Sequence, residues 1–367
     1  MQDAAAADWI AALGETHELI DATAAGEDAR TRADGLRYAT RLASIALSMF
    51  VENNDPLLPE LSVNTDENHK FGFDNPDNLY RRTPLRDDQD YVLSGRRGSA
   101  PYIGLSFGAA LFTGETQGPQ GTLAQYHLDE FGIGPGDEFG LTLRGTGDSG
   151  GTPGTRSIRL PNGTSGMIVR ETFFDKTAQA HSDLRIRRVA DGASPSREDA
   201  ASVPEQLADA ARFLRTVCPA FVNLAGHLAT TPFHFTGTAG RDTMHMHGDP
   251  DLYYAPSWWT LDADEAMLVT VEPAERYAYW GFQLADRWLE SLDYRYLPVA
   301  TNNDKAVRNE DGTWTIVVAQ ENPGVDNWLT TDGLSEGGMC FRWLLASDEP
   351  PLPSVEIVKL DSLTELG

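Results

Sequence analysis

Residues 202–224 read SVPEQLADAARFLRTVCPAFVNL, and the way this stretch folds decides the architecture. Ser202 with Glu205 three residues on is a capping-box pattern, in which each side chain satisfies a free backbone N–H at a helix start, and Pro204 fits a first turn. Leu207, Ala211, Leu214, Val217 and Phe221 then share one helical face. Pro219 has no N–H to donate and is expected to kink or end the helix. The pattern on either side is different. Upstream, short β-type runs at 91–94, 102–107, 139–143, 167–170 and 183–188 are separated by turn residues at spacings typical of an antiparallel sandwich. Downstream, runs at 266–271, 277–284, 313–319, 339–345 and 355–360 repeat that texture. In the second of these, Trp280, Phe282 and Leu284 alternate with Tyr279, Gly281 and Gln283, so the apolar side chains face one side and Gln283 the other. The helix is therefore expected to join two β domains.

Residues 4–52 have helical spacing, with Leu36, Ala39, Leu42, Ala43, Ala46, Met49 and Phe50 on one side, and 53–90 turns loop-like and rich in Asn, Asp and Pro. The expected fold class is mainly β with helical additions. A helical segment spans 1–60, a first antiparallel β-sandwich 61–200, a linking helix 201–230 and a second β-sandwich 231–367. A chain of 367 residues exceeds one ordinary core, which agrees with two β domains. No internal repeat of short period is present.

With 29 Lys+Arg against 55 Asp+Glu, the formal net charge is −26, a field that repels nucleic acid and anionic lipid surfaces and disfavours both as partners. The longest apolar runs fall short of the roughly 20 residues a bilayer requires. The first residues, Met1-Gln2-Asp3-Ala4, lack the basic start and apolar run of a secretory signal, so a cytoplasmic location is expected. Cys218 and Cys340 lie in separate apolar settings and read as small core residues rather than a disulfide pair.

Seven of the eight tryptophans fall between residues 258 and 343, beside polar clusters at Glu290-Ser291-Leu292-Asp293-Tyr294-Arg295, Asn302-Asn303 and Asp326-Asn327-Trp328. Aromatic faces next to amides, carboxylates and guanidinium groups suit a small organic ligand. Asp293 is a candidate general base, Tyr294 a proton donor and Arg295 a clamp for an anionic or carbonyl group. Tyr254, Trp258, Gln283, Trp288, Asn302, Asn303, Asn327, Trp328 and Arg342 are the candidate binding residues. The competing reading makes the tryptophans core and the Asp293–Arg295 pair a loop brace. His245 and His247, at the two-residue spacing of one strand face and followed by Asp249 and Asp251, are the candidate ligands for a divalent metal; no other cofactor is expected. Gly147-Asp148-Ser149-Gly150-Gly151 spells a trypsin-like nucleophile signature, but none of His17, His69 and His127 has that family's surroundings, and the match is a coincidence.

The run from Tyr253-Tyr254 to Trp258-Trp259, then Asp264-Glu265-Ala266, Tyr279-Trp280, Gln283-Leu284 and Trp288 to Arg295, resembles the bacterial family called domain of unknown function 1214. Pro323-Gly324, Asn327-Trp328-Leu329, Phe341-Arg342-Trp343 and Pro350-Pro351-Leu352-Pro353 carry the same resemblance, which covers residues 250–360 closely. Asp74-Asn75-Pro76-Asp77-Asn78-Leu79-Tyr80 and Gly95-Arg96-Arg97-Gly98 look like the N-terminal half of some members. The resemblance implies a helical segment followed by two β-sandwiches, and no reaction. Many members carry Asn at the position of Asp286 and His at that of Ser335.

Two functions fit these residues best. One is an acid–base enzyme, of hydrolase or lyase type, acting on a small ring-containing or sugar-like molecule. The other is a non-catalytic binding protein for an apolar metabolite such as a terpenoid or steroid. A structural role, with the polar clusters serving loops and a homo-oligomer interface, is the third.

Overall fold

The computed structural model describes residues 2–109, 121–147, 156–189, 203–246, 248–347 and 349–364. It is mainly β with helical additions. Helices α1 (Gln2–Thr23) and α2 (Ala29–Leu47) turn about each other at Gly26, whose φ of 90° suits a residue without a side chain. Asp28 caps α2 by accepting from the Thr31 N–H at 2.8 Å. Helix α3 (Val203–Leu228) runs unbroken through Pro219, against the expected break there. It is also more than a link: Phe213, Leu214, Val217 and Cys218 pack with Ala12, Ile20, Tyr38 and Leu42, so α3 is the third helix of an N-terminal bundle. Residue 202, the expected cap, lies outside the described residues.

Among the described residues nine strands precede α3: β1 (Ser62–Thr65), β2 (Asn78–Pro84), β3 (Tyr91–Arg96), β4 (Tyr102–Ala109), β5 (Gly121–His127), β6 (Glu138–Arg144), β7 (Ser157–Arg159), β8 (Gly166–Thr172) and β9 (Asp183–Arg188). Nine follow it: β10 (Thr238–Ala239), β11 (Leu252–Thr260), β12 (Glu265–Val271), β13 (Tyr279–Leu284), β14 (Ala300–Asn302), β15 (Trp314–Ala319), β16 (Trp328–Thr330), β17 (Glu336–Leu344) and β18 (Ser354–Lys359), with a short closing helix α4 (Leu360–Thr364). The first set forms sheets ordered β1-β2-β8-β4-β5 and β7-β6-β3-β9; the second forms β10-β11-β17-β13-β14 and β16-β15-β12-β18. Adding nine to each strand number turns the first plan into the second. The match includes the single parallel pair of each sandwich, β6 with β7 and β15 with β16. Each sandwich is therefore mixed rather than purely antiparallel, and the described chain is one architecture built twice.

The sandwich interiors hold the apolar residues of alternating strands. In the second, Trp259, Trp280, Phe282, Trp314, Phe341 and Trp343 fill one cluster, with Trp280 stacked on Phe341 at 5.5 Å and meeting Trp314 edge-on at 5.3 Å. Because strand side chains alternate, Tyr279, Gly281, Gln283 and Arg342 emerge on the opposite face. That face meets the corresponding face of β2, β8 and β4, through the hydrogen bonds described below. Among the described residues no helix is long and apolar enough to cross a membrane.

Candidate functional site

The two sheets that face each other carry matching rows of residues across their strands. In the first, Thr65 pairs with Tyr80, Tyr80 with Arg170, Arg170 with Gly104 and Gly104 with His127. In the second, Thr238 pairs with Tyr254, Tyr254 with Arg342, Arg342 with Gly281 and Gly281 with Asn302. The glycines are required. A Cβ at Gly281 would lie 2.0 Å from Tyr279 Oη, and one at Gly104 2.7 Å from Tyr102 Oη, so each lets a neighbouring tyrosine fold back across the sheet. Each row is led in by a related turn, Asn75-Pro76-Asp77-Asn78-Leu79-Tyr80 before the first and Asp249-Pro250-Asp251-Leu252-Tyr253-Tyr254 before the second. In both turns the first residue's backbone N–H donates to the closing phenol oxygen, at 3.2 Å for Asn75 to Tyr80 and 3.1 Å for Asp249 to Tyr254. In both, its side-chain Oδ1 accepts from the aspartate two residues on, at 3.0 Å.

The turns then cross over. Tyr279 of the second sandwich donates to Asp77 of the first at 2.9 Å, and Tyr102 of the first donates to Asp251 of the second at 2.7 Å. Reciprocal contacts of this kind mark an approximate twofold relation between the sandwiches. Asn302 adds a bond to Asp77 at 2.8 Å and Gln125 one to Tyr102 at 2.9 Å, again from equivalent strands, β14 and β5.

Where the two rows face each other and α3 covers one end, the structure forms a pocket of about 400 Å³ that is partly open to solvent. Tyr80 and Arg170 line it from the first sandwich, Tyr254, Cys340 and Arg342 from the second. Phe71, Phe73, Phe221, Leu224 and Ile168 supply the apolar wall. Both guanidinium groups are deeply buried, Arg170 at 7% and Arg342 at 4% exposure. Arg342 donates to Gln283 Oε1 and to the Phe73 carbonyl, and among the described residues it forms no ion pair. Arg170 donates to Ser106 Oγ, and its charge counteracts the rise that burial imposes on the carboxyl of Asp249. Burial raises Tyr80 and Tyr254 above the usual phenol range, and Cys340 above the usual thiol range, so all three stay protonated. Two acceptors of the lining residues, Asn64 Oδ1 and Asn78 Oδ1, are buried with no hydrogen-bond partner among the described residues.

Tyr254 and Arg342 are the residues expected from the sequence that stand on the cavity wall, and Gln283 stands directly behind, holding Arg342 and the Asp74 carbonyl, the latter at 2.8 Å. The others are elsewhere. Asp293 and Arg295 form a two-bond pair at 2.8 Å on an exposed loop, with Arg295 also on Asn68, so they are a loop brace away from the cavity. Arg295 holds the Asp293 carboxyl below its usual range, the opposite of a poised base. The Tyr294 ring lies between the ammonium groups of Lys70 and Lys176, each 4.7 Å from its centre.

The aromatic platform expected at Trp258 and Trp288 is core instead. Trp258 is 1% exposed, and Trp288 stacks on Tyr38 at 6.0 Å and donates to the Thr31 carbonyl, docking α2 where Gly35 leaves room for its ring. Asn302 is fully buried on Asp77 and the Phe174 carbonyl, and Asn303 accepts from the Trp280 N–H at 2.9 Å. Asn327, at a left-handed φ of 57°, ties Val307 to Thr315, and Trp328 donates to the Ala319 carbonyl. These four amide and indole groups serve turns and packing. His247 lies outside the described residues, as does the side chain of His245; Ser149 lies outside them too. Among the described residues no three His, Cys, Asp or Glu side chains are grouped as metal ligands.

The sequence reading did not single out Tyr80, Arg170 or Thr65. The signal that finds them is the long-period repeat of the two Pro-Asp turns, each closed by a tyrosine five residues after its first residue.

No family model and no curated protein sequence matches the chain, so the resemblance of residues 250–360 to domain of unknown function 1214 rests on the motifs alone. Solved structures do match. A Vibrio parahaemolyticus protein shares the fold at a TM-score of 0.55 and 15% identity, over 88% of this chain and 98% of that one. An uncharacterised Burkholderia cenocepacia protein aligns at a TM-score of 0.88 and 31% identity, over 98% of this chain and 97% of that one. The chain belongs to the family of that Burkholderia cenocepacia protein.

Proposed function

We propose that the chain is a small-molecule-binding protein whose ligand occupies the cavity between the two sandwiches. One observation carries this reading: two buried arginine–tyrosine pairs, one from each sandwich, face a space of about 400 Å³ whose wall combines apolar side chains such as Phe71, Phe73, Phe221 and Leu224 with polar ones such as Asn64, Asn78 and Asp74. That volume lies at the low end of the ~300–1,000 Å³ usual for small-molecule sites, and a few converging polar groups in an apolar pocket are their common form. Buried cationic side chains are costly to maintain. A ligand that engages them accounts for their presence better than packing does.

The geometry favours binding over turnover. An acid–base enzyme needs a base within reach of its substrate. Two carboxylates line the pocket, Asp74 and Asp242, and Asp74 accepts from the Ser291 N–H at 2.9 Å with one oxygen and from Ser291 Oγ at 2.6 Å with the other. The phenols and the thiol are held protonated by burial. They can donate hydrogen bonds but not accept a proton readily. The hydrolase or lyase reading would have to draw its base from Asp242, an exposed residue of the lining.

The test is to fill the space. Leu224→Trp on α3 places an indole where the ligand would lie, on an element whose other face holds the helical core. Octanoate and octan-1-ol serve as amphipathic probes, followed by calorimetry. The native chain is expected to bind at least one of them saturably with one site per chain, and the filled variant to lose about 10-fold or more in affinity. Binding that survives the filling unchanged would place the ligand elsewhere.

A further inference from the structure

One stretch of the pocket wall, residues 71–74, is held by a turn of the second sandwich that carries two carboxyl groups. We propose that Asp286 and Glu290 form a proton-operated latch on that wall. With a proton on the pair the turn 286–292 grips the wall, and without it the grip loosens and the wall opens toward solvent.

The bonds of this joint run both ways. The Phe73 N–H donates to the Leu289 carbonyl at 2.8 Å, and Lys70 Nζ donates to the Ser291 and Leu292 carbonyls at 2.8 and 3.2 Å. Ser291 returns two bonds to the Asp74 carboxylate, from its N–H at 2.9 Å and its Oγ at 2.6 Å. From the other side Arg342 and Gln283 hold the Phe73 and Asp74 carbonyls. A guanidinium and an amide do not change charge near neutral pH, so the turn is the side of the joint that can respond to protons.

The turn closes through the carboxyl group of Asp286. Its Oδ1 accepts from the Trp288 N–H at 2.8 Å and the Glu290 N–H at 3.0 Å, and the Asp286 N–H donates to the Glu290 carbonyl at 2.9 Å. Between them Leu289 stands at a left-handed φ of 59°, a conformation that a bulky side chain adopts only at a cost. Glu290 is 2% exposed, and its Oε2 accepts from Arg41 of α2 at 2.7 Å. Its Oε1 is buried with no hydrogen-bond partner among the described residues. An ionised oxygen shut off from water and without a donor is costly, and a proton relieves that cost.

Charged and titratable groups face the pair from every neighbouring element. Asp34, Tyr38 and Arg41 stand on α2, Lys70 and Asp74 on the wall segment, and Cys218 of α3 lies near Tyr38. Arg287, within the turn, is directed to Glu336 at 2.7 Å and to Glu27 at 3.2 Å. Burial outweighs the two facing cations and raises both carboxyls, Asp286 up to about 7. Opened to water, a carboxyl returns to the ordinary range of about 4. The closed turn therefore keeps a proton that the open turn has released. Opening becomes easier as pH rises from about 4 to about 7, and Asp286 contributes no further change above that window.

Hydrogen exchange on the ligand-free chain tests the latch, so the outcome does not depend on whether the pocket binds a ligand. The Phe73 and Ser291 amides donate across the joint, and the amides of strand β3 in the first sandwich serve as reference. Protection factors, corrected for the intrinsic pH dependence of exchange, are compared between the native chain and Asp286→Asn. In the native chain, protection of Phe73 and Ser291 relative to β3 is expected to fall about 10-fold or more between about pH 5 and about pH 7, and to level off above. In Asp286→Asn it is expected to stay flat. Should that variant fail to fold, Glu290→Gln, which keeps the shape and removes the second charge, is expected to reduce the fall by about half or more. Protection that is constant across this range in the native chain, or that falls as steeply in the substituted chains, overturns the latch. A fall shared equally by the β3 amides would report unfolding of the whole chain rather than of the turn, and overturns it too.

Discussion

The two sandwiches carry the same cavity face and different interiors. On the shared face, Thr65, Tyr80, Arg170 and Gly104 of one correspond to Thr238, Tyr254, Arg342 and Gly281 of the other. Behind that face the first sandwich packs Leu93, Leu105, Phe107, Leu141 and Phe173, while the second packs Trp259, Trp280, Trp314 and Trp343. Apolar interiors can be rebuilt from any residues of suitable volume and shape. A polar row cannot be rebuilt so freely, because each member is a partner in a hydrogen-bond set. The tryptophans that dominate the sequence therefore mark how one core is filled, and the tyrosine–arginine rows mark what both copies have in common.

This contrast can be broken most forcefully at the cores. Trp280→Ala removes a fully buried indole from the second interior and is expected to cost about 3–5 kcal/mol in chemical unfolding. Trp280→Phe should cost distinctly less, because the indole N–H it deletes has no acceptor in the described structure. A Trp280→Ala chain that unfolds like the native one would contradict the core assignment and return the tryptophan to the ligand.

Next in size are the paired glycines. Gly281→Ala and Gly104→Ala should each destabilise by about 1–3 kcal/mol, since a methyl group would strike the folded-back tyrosine. Gly281→Ala should be the worse. Its Cβ would meet a phenol oxygen at 2.0 Å, whereas the nearest atom to a Cβ at Gly104 is the end of the flexible Gln125 amide, at 2.6 Å. Equal and negligible losses in thermal melts would show that the two rows are not built alike.

A smaller effect separates the second sandwich from the first at its seam with the helices. Glu290 pairs with Arg41 at 2.7 Å, and Asp286 accepts from the Trp288 and Glu290 N–H groups. Burial raises both carboxyls, Asp286 up to about 7. The folded chain then keeps protons that the unfolded chain releases above the ordinary carboxylate range near 4, so stability falls as pH rises from about 4 to about 7 and the loss is complete above that window. Asp286→Asn preserves the accepting oxygen and removes the titration. Its melting temperature should match the native value at pH 4 and exceed it at pH 8, by an amount equivalent to about 1 kcal/mol or more. A variant with the native pH slope would remove Asp286 from this account.

The smallest effect belongs to the exposed Asp293–Arg295 pair, each partner 37% exposed. Asp293→Asn should change stability by less than about 1 kcal/mol, as solvent-screened pairs do, and should leave octanoate binding unaltered. Loss of probe binding would bring this loop back to the site.

The fold class was legible because alternation marks ten of the eighteen strands described, whereas β1 and β2 lie in the stretch 53–90 that reads as loop. The runs around Trp280 and Phe341 and those on either side of α3 fall where the pattern places them. Strand β11 escaped notice because Pro256 interrupts it, and proline argues against a central strand. The proline is tolerated because β10 pairs only with Tyr253 and Tyr254, and beside Pro256 the neighbouring segment asks for its carbonyl alone, which accepts from the Thr236 N–H at 3.3 Å. Helix α3 continues through Pro219 with its apolar face packed on α1 and α2, and that packing outweighs the missing bond. Of the candidate site, the sequence singled out Tyr254 and Arg342 on the pocket wall and Gln283 behind Arg342. Its other half comes from residues 65–170, and nothing in local spacing shows that Tyr80 and Arg170 face Tyr254 and Arg342 across an interface. Single polar residues on strands read as solvent-facing until a second sheet covers them.

The most direct measurement is a crystal structure of the chain with octanoate at a concentration that saturates binding in solution. The account predicts the molecule inside the pocket, between the two tyrosine–arginine rows and in contact with Phe221 and Leu224. Octanoate found only on the outer surface, with the space between the two tyrosine–arginine rows free of it, would contradict the claim that the paired sandwiches exist to hold a ligand.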